Sequence, residues 1–297
     1  MAVAGVVPAL LVALKHWKTR MKDFNQKLAL ITGGSSGIGL AIAKQLASLG
    51  ANIAIMARRP EQLRNAKQEI EQVSKYTKPV EIVRADVSNE QEVTIALERF
   101  VNQTGIPDLL IHSAGVTQPG LFHEQATGIF RWIMDINYFG SLYVTKALIG
   151  PMRSKKAGHV VFISSIAGLV GVYGYTAYCA SKFAIRGLAE ALRSELKFDG
   201  IGVTIVYPPD TNTPQLEYEK PFKPPITKAL ASLTGILQPE VVARATVKGI
   251  QKNRFIVTPG FEASFWYAVS TFAGPGLHKL MDMLTLWADH QVKAGKF

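Results

Sequence analysis

The run LALITGGSSGIG, from Leu28 to Gly39, joins an apolar stretch to a glycine- and serine-rich turn, which opens the helix-like segment Ile38–Leu49. A strand covered on both faces reads as a continuous apolar run of this kind. Glycines directly after it permit a tight turn and close backbone approach, and the helix N-terminus that follows attracts a pyrophosphate. Gly33, Ser35, Ser36, Gly37, Ile38 and Gly39 are therefore candidate dinucleotide contacts. Glycine-rich turns are common, so the turn alone decides little. Its spacing is T-G-x-x-x-G-x-G rather than the commoner G-x-G-x-x-G.

Working outward, the same alternation recurs along the chain. Strand candidates are LALITG from Leu28, NIAIMA from Asn52, VEIVRA from Val80, LLIHSA from Leu109, HVVFIS from His159, VTIVYP from Val203 and FIVTP from Phe255. Helical stretches separate them: Ile38–Leu49, Pro60–Tyr76, Glu90–Gln103, Gln125–Arg153, Tyr175–Phe198 and Pro239–Lys252. Ser88 with Gln91 reads as a capping box, and Pro239 sits where a first-turn proline is tolerated. Val- and Ile-rich strands separated by helices predict an α/β fold, a doubly wound Rossmann-type parallel sheet of about seven strands with helices on both faces. Ligands are then expected beyond the carboxyl ends of the strands.

The 297 residues contain no linker or repeat that divides them, which predicts one domain with appendages. The division expected is an apolar and basic segment over 1–24, a catalytic domain over 25–260 with a lid at about 214–237, and an aromatic-rich extension over 261–297. A single cysteine, Cys179, excludes an intrachain disulfide and reads as a buried thiol without chemistry. The net charge of +11 admits nucleic acid, an anionic membrane surface or cofactor phosphates as partners. Zinc-ligand spacing, an arginine-rich helix and an RNA-binding aromatic pair are all missing, so neither a metal nor nucleic acid is expected.

Both ends favour a membrane surface. Ala2 to Leu14 is apolar, broken by Pro8, and is followed by Lys15, His16, Trp17, Lys18, Arg20 and Lys22. As a helix it would span roughly 20 Å, short of the roughly 30 Å hydrocarbon core. Its basic cluster follows the apolar run, whereas a secretory signal places one before. An interfacial anchor with its basic flank on the cytoplasmic lipid face is expected, with an arm packed on a neighbouring subunit as the alternative. FEASFWYAVSTFAGPGL, Phe261 to Leu277, is aromatic and almost uncharged, which suits core, dimer or membrane contact equally.

The residues with chemistry follow the strands. MARRP places Ala57, Arg58 and Arg59 where NAD binders usually carry an acid, so a 2′-phosphate meets cations and NADPH is the expected cofactor. Asp86 and Val87 are placed to meet the adenine edge. HSAG ends the fourth strand with Ala114 and Gly115 where a cofactor must pass closely, and His112 reads as structural. Ser165 precedes YCASK, in which Tyr178 and Lys182 are four apart and share a helix face. A lysine cation beside a phenol favours the phenolate, so Lys182 is expected to lower the tyrosine pKa toward the working range.

These residues resemble the short-chain dehydrogenase/reductase family over about Leu28 to Pro259. The resemblance implies Ser165, Tyr178 and Lys182 as catalytic residues, and Asn137 of DINYFG as a fourth acting through a proton-relaying water. It also implies that Pro208, Thr211 and Thr213 hold the nicotinamide carboxamide, although Pro209 stands where the family usually has glycine and HSAG where it has N-N-A-G. The form YPPDTNTP is similar to one branch in particular, the 3-ketodihydrosphingosine (3-dehydrosphinganine) reductases. That branch implies reduction of a lipophilic ketone, the 3-keto group of a long-chain sphingoid base, with NADPH at a membrane facing the cytosol. Another lipophilic carbonyl (steroid, retinal or acyl chain) is the alternative within the family, and a non-catalytic NADP(H)-binding membrane scaffold the alternative outside it. A homo-oligomer through the helices around Gln125–Arg153 and Tyr175–Phe198 is implied by analogy.

Overall fold

The computed structural model describes residues 21, 23–76 and 78–297. The apolar run from Ala2 to Leu14 and its basic flank as far as Arg20, with Lys22, lie outside the described residues. Seven parallel strands form one sheet in the order β3-β2-β1-β4-β5-β6-β7. They are β1 Leu28–Thr32, β2 Asn52–Ala57, β3 Glu81–Arg84, β4 Leu109–His112, β5 Gly158–Ile163, β6 Ile201–Val206 and the short β7 Ile256–Val257. Helices α1 Gly37–Ser48, α2 Pro60–Val73, α3 Glu90–Thr104, α4 Thr127–Met134, α5 Gly140–Lys155, α6 Thr176–Leu196 and α9 Pro239–Gln251 cover the sheet. Between β6 and α9 lie two short helices, α7 Pro214–Glu219 and α8 Pro225–Ala231; α10 Gly260–Phe272 and α11 Gly276–Lys293 follow β7. Strand order reverses between β1 and β4, which places a crevice at their carboxyl ends.

The strands alternate between two cores. Leu30, Leu110, Val160, Phe162 and Ile205 face one side with α3, α5 and α6. Ala29, Ile31, Ile55, Leu109 and Ile111 face the other with α1, α2 and α9. Each leucine or isoleucine wholly removed from water contributes on the order of 1.5–3 kcal/mol. In-register pairs Thr32↔His112 and His112↔Phe162 align the ends of β1, β4 and β5, so the loops that follow meet at one edge.

Two local expectations are corrected. The cap of α3 is Asn89, whose side chain accepts from Glu92 N–H at 3.1 Å. Ser88 instead donates its hydroxyl to Asp86 Oδ1 at 2.7 Å, because the Asx turn at Asp86 claims it first. The helix expected over Gln125–Arg153 is interrupted: Asp135–Phe139 forms a π-helical turn between α4 and α5.

Candidate active site

The turn after β1 is a close approach of backbone to backbone. Gly33 has φ +66°, and a Cβ there would lie 2.7 Å from Ala114 N, so only glycine fits. A Cβ on Gly39 would run into Gly33 O, which is what lets α1 start directly on the turn. Ser36, the N-cap of α1, makes no side-chain bond to the first turn, leaving its N–H groups to an outside acceptor. Thr32 Oγ1 ties this turn to the end of β4 by accepting from Ser113 N and Ala114 N, each at 3.2 Å.

A cavity of about 320 Å³ runs from Gly33, Ser36, Gly37 and Ile38 past Ala114 and Gly115 to Ser165, Tyr178 and Lys182. Of the expected site residues, Pro208, Thr211 and Thr213 line it too, whereas Ser35, Gly39, Arg58, Arg59, Asp86, Val87 and Asn137 stand outside its lining. Thr213 caps α7 through Leu216 N–H at 3.3 Å, and its methyl is 3.1 Å from where a Cβ of Gly37 would be. Thr211 donates to Pro209 O at 2.8 Å, and the strand-like pairing of Thr211 with Leu237 pins the segment. Val87 is buried against Gly140, inside the core.

Arg58 extends over the end of β3, where its Nη1 lies 3.2 Å from Asp86 Oδ2. Burial would raise the Asp86 carboxyl, but hydrogen bonds from Ser88 and the Arg58 guanidinium outweigh it and hold it below the ordinary carboxylate range. Arg59 is the N-cap of α2. The two arginines and Asp86 thus sit together beyond β2 and β3, at the far end of the turn.

Tyr178 and Lys182 lie one turn apart on α6, and the Lys182 ammonium stands 5.4 Å from the Tyr178 ring centre. Lys182 is buried and donates to Ile163 O at 3.0 Å; among the described residues this is its one hydrogen bond, and it leaves two ammonium hydrogens for hydroxyls in the cavity. Burial lowers its pKa to about 8. Ser165 Oγ accepts from Ala167 N–H at 3.1 Å and lines the cavity with Tyr178.

The pKa of the phenol moves opposite to the expected direction. Burial, reinforced by the Glu219 carboxylate, raises the Tyr178 pKa above its ordinary value, and the hydrogen bonds from Ser165 and Gln215 recover only part of that. A phenol removed from water resists ionising, and a nearby carboxylate adds to that resistance.

Asn137 sits in the π turn and holds two elements together. Its Oδ1 accepts from Val116 N at 2.8 Å, and its Nδ2 donates to Val116 O at 3.0 Å and Ser181 Oγ at 2.9 Å. Both amide hydrogens are therefore taken, and the side chain fixes the loop after β4 against α6. His112 is structural, as expected: buried, stacked on Phe162 at 4.8 Å and paired with Thr145 at 2.9 Å, with burial lowering its pKa to about 3. Cys179 is a buried free thiol.

Four residues beside the phenol, Tyr175, Gln215, Glu219 and Lys223, carried no sequence signal. Gln215 lines the cavity with Tyr178; Tyr175 donates its hydroxyl to Glu219 Oε1 at 2.8 Å; and Lys223 lies 2.9 Å from the same oxygen. Only folding of α7 over α6 joins them.

Residues 27–223 match the family described as short chain dehydrogenase. A 3-dehydrosphinganine reductase of Danio rerio is 38% identical over 262 residues, covering 86% of this chain and 79% of that one. A 3-ketodihydrosphingosine reductase of Dictyostelium discoideum is 35% identical over 295 residues, covering 94% and 88%. The chain belongs to the short chain dehydrogenase family. A solved short chain dehydrogenase/reductase from Burkholderia phymatum in complex with NAD superimposes with a TM-score of 0.71 at 26% identity, covering 80% of this chain and 90% of that one. As a short chain dehydrogenase the protein is an oxidoreductase that works with a nicotinamide cofactor. The site fits such a cofactor on its own terms. The glycine cradle leaves no room for side chains, the first-turn N–H groups of α1 lack a capping acceptor, and a buried ammonium has hydrogens to give to hydroxyls.

Proposed function

We propose that this chain reduces the 3-keto group of a long-chain sphingoid base to the alcohol, with NADPH as reductant. The observation that carries the reading is the cavity itself. It brings Tyr178, Ser165 and Lys182 to the same wall, and continues between Val170, Leu230, Leu233, Trp266, Met281 and Leu284, an apolar path suited to an alkyl chain. The relatives named for that reaction support the choice of ketone.

When bound, NADPH supplies the hydride. Gly33, Ser35, Ser36, Gly37, Ile38 and Gly39 would hold its pyrophosphate at the start of α1. Arg58, shared with Asp86, and Arg59 would meet the 2′-phosphate, with Asp86 and the backbone of Val87 toward the adenine. Ala114 and Gly115 would flank the cofactor, Lys182 would give its two remaining hydrogens to ribose hydroxyls, and Pro208, Thr211 and Thr213 would hold the carboxamide. NADPH rather than NADH follows from cations standing where an acid would repel phosphate.

Tyr178 is the proton donor. Its raised pKa keeps the phenol protonated at neutral pH, and an alkoxide oxygen is the stronger base, so the proton passes downhill. Ser165, whose oxygen already accepts from Ala167, has its own hydrogen to give to the same substrate oxygen. Asn137 acts as a positioning residue through Val116 and Ser181. The helices α7 and α8, with the segment to residue 237, serve as a lid over a catalytic domain spanning 25–260. No helix among the described residues is long and apolar enough to cross a membrane. Exposed Phe261, Phe272 and Leu286 on α10 and α11 favour contact with a cytoplasm-facing membrane surface instead. Self-association is through α4, α5 and α6.

Purified protein with NADPH tests this against a C18 3-keto sphingoid base, a steroid ketone and retinal. NADPH oxidation with the first alone is expected; oxidation with the steroid or retinal and not the sphingoid base overturns the substrate.

A further inference from the structure

The part of the cavity above Tyr178 has an excess of negative charge. Asp210, Glu219 and Glu262 line it there against one ammonium, Lys223. Burial pulls the Lys223 pKa down, yet Asp210 and Glu219 outweigh it and hold the ammonium above its ordinary value. Burial raises Glu219 and Glu262, and Asp210 adds to the rise in both. Lys223 does not neutralise three carboxyls.

Glu219 is 5% exposed. Both of its partners, the Tyr175 hydroxyl and Lys223 Nζ, meet Oε1; Oε2 has no hydrogen bond among the described residues. Oε2 is not sealed off but open to the cavity, where an incoming donor can reach it. Glu219 and Gln215 are one helical turn apart on α7, and Gln215 lines the same cavity as Tyr178. The Tyr175 and Tyr178 rings are 5.9 Å apart, so the carboxylate stands one tyrosine away from the proton donor. A group bound by Glu219 therefore sits beside the carbonyl that Tyr178 protonates, before the apolar path begins.

We propose that Glu219, with Asp210 beside it, binds a cationic amino group on the carbon next to the ketone and so makes the enzyme select amino ketones. This rests on the reading under Proposed function and deepens it. The incoming ammonium gives a hydrogen to Glu219 Oε2 and shares the two carboxylates with Lys223. The tail then lies along Val170, Leu233 and Trp266.

The test uses the full chain, NADPH and two ketones of equal length: the C18 3-keto sphingoid base and the same hydroxy ketone without its amino group. The unaltered protein is expected to favour the amino ketone by at least about tenfold in kcat/KM, the scale of one well-placed charged contact. Glu219→Gln is expected to raise KM for the amino ketone about tenfold and bring the ratio of the two kcat/KM values close to one. Asp210→Asn is expected to act in the same direction to a lesser extent. NADPH binding, read by cofactor fluorescence, shows that each variant is folded, and if Glu219→Gln fails there, Asp210→Asn carries the same outcomes. An unaltered ratio in the variants overturns the subsite, as does an equal loss on both ketones. Equal use of both ketones by the unaltered protein removes the subsite but keeps the reductase. Inertness toward both removes the substrate reading and this inference with it.

Discussion

The floor and the roof of the cavity are built by opposite means. The floor, from Gly33 to Gly39 with Ala114 and Gly115, works by lacking side chains: its backbones approach so closely that a methyl at Gly33 or Gly39 has no space. The roof, from Pro208 to Thr227, works by carrying them: Asp210, Gln215, Glu219 and Lys223 place charge and hydrogen bonds above the phenol. A backbone cradle tolerates many ligands of one shape, because N–H groups and glycines carry no chemical preference beyond polarity and fit. A side-chain roof chooses among ligands, since each buried charge must be answered. General cofactor chemistry thus belongs to one wall and substrate choice to the other.

The phenol between the two walls is the most sensitive position of the site. Tyr178→Phe is expected to lower kcat by at least about a thousandfold, the scale of a lost general acid, while the NADPH dissociation constant stays within about threefold. Retained turnover in a single-turnover assay removes Tyr178 from the chemistry.

Next comes the roof's own charge pair. Lys223→Met leaves Glu219 buried without its cation and is expected to cost about 3 kcal/mol in a denaturant titration at pH 7. The sign with pH follows from the raised Glu219 pKa. A carboxyl that holds its proton more tightly when folded favours the fold at low pH, and that contribution is lost as pH rises through the raised value. The deficit of the variant should therefore shrink on acidification and grow above the ordinary carboxylate range. A deficit independent of pH removes the charge argument.

The floor yields a smaller loss of a different kind. Gly39→Ala forces the start of α1 off the turn and should cost about 2 kcal/mol in stability with weakened cofactor binding, measured by thermal unfolding with and without NADPH. Its ratio of activities on different ketones should stay that of the unaltered protein, because the roof is untouched. The smallest effect is expected at the outer end of the floor. Arg58→Ala with Arg59→Ala should weaken NADPH about tenfold relative to NADH, near 1.4 kcal/mol, since Arg58 is exposed and already shared with Asp86. Equal losses for the two cofactors remove the phosphate assignment.

Much of the floor was legible in the chain itself. A glycine turn between an apolar strand and a helix is a local pattern, and LALITGGSSGIG spells it without reference to anything distant. The four-residue step from Tyr178 to Lys182 is equally local, which is why its helix face could be read. The Asn137 position could not. Its helix looked regular, and the π turn that aims its amide at Val116 and Ser181 depends on contacts 21 and 44 residues away. The roof was harder still. YPPDTNTPQ showed rigid backbone and small hydroxyls, yet nothing near Glu219 in the sequence says that it will be buried against Tyr175, 44 residues earlier.

By itself the sequence determined the alternation of strands and helices, the glycine cradle and the pairing of a phenol with an ammonium, because each rests on spacings within a turn or two of chain. Only the tertiary structure decided how acidic that phenol is, and what faces it. Those properties depend on exclusion of water and on charges from distant segments, and both arise when α7 closes over α6.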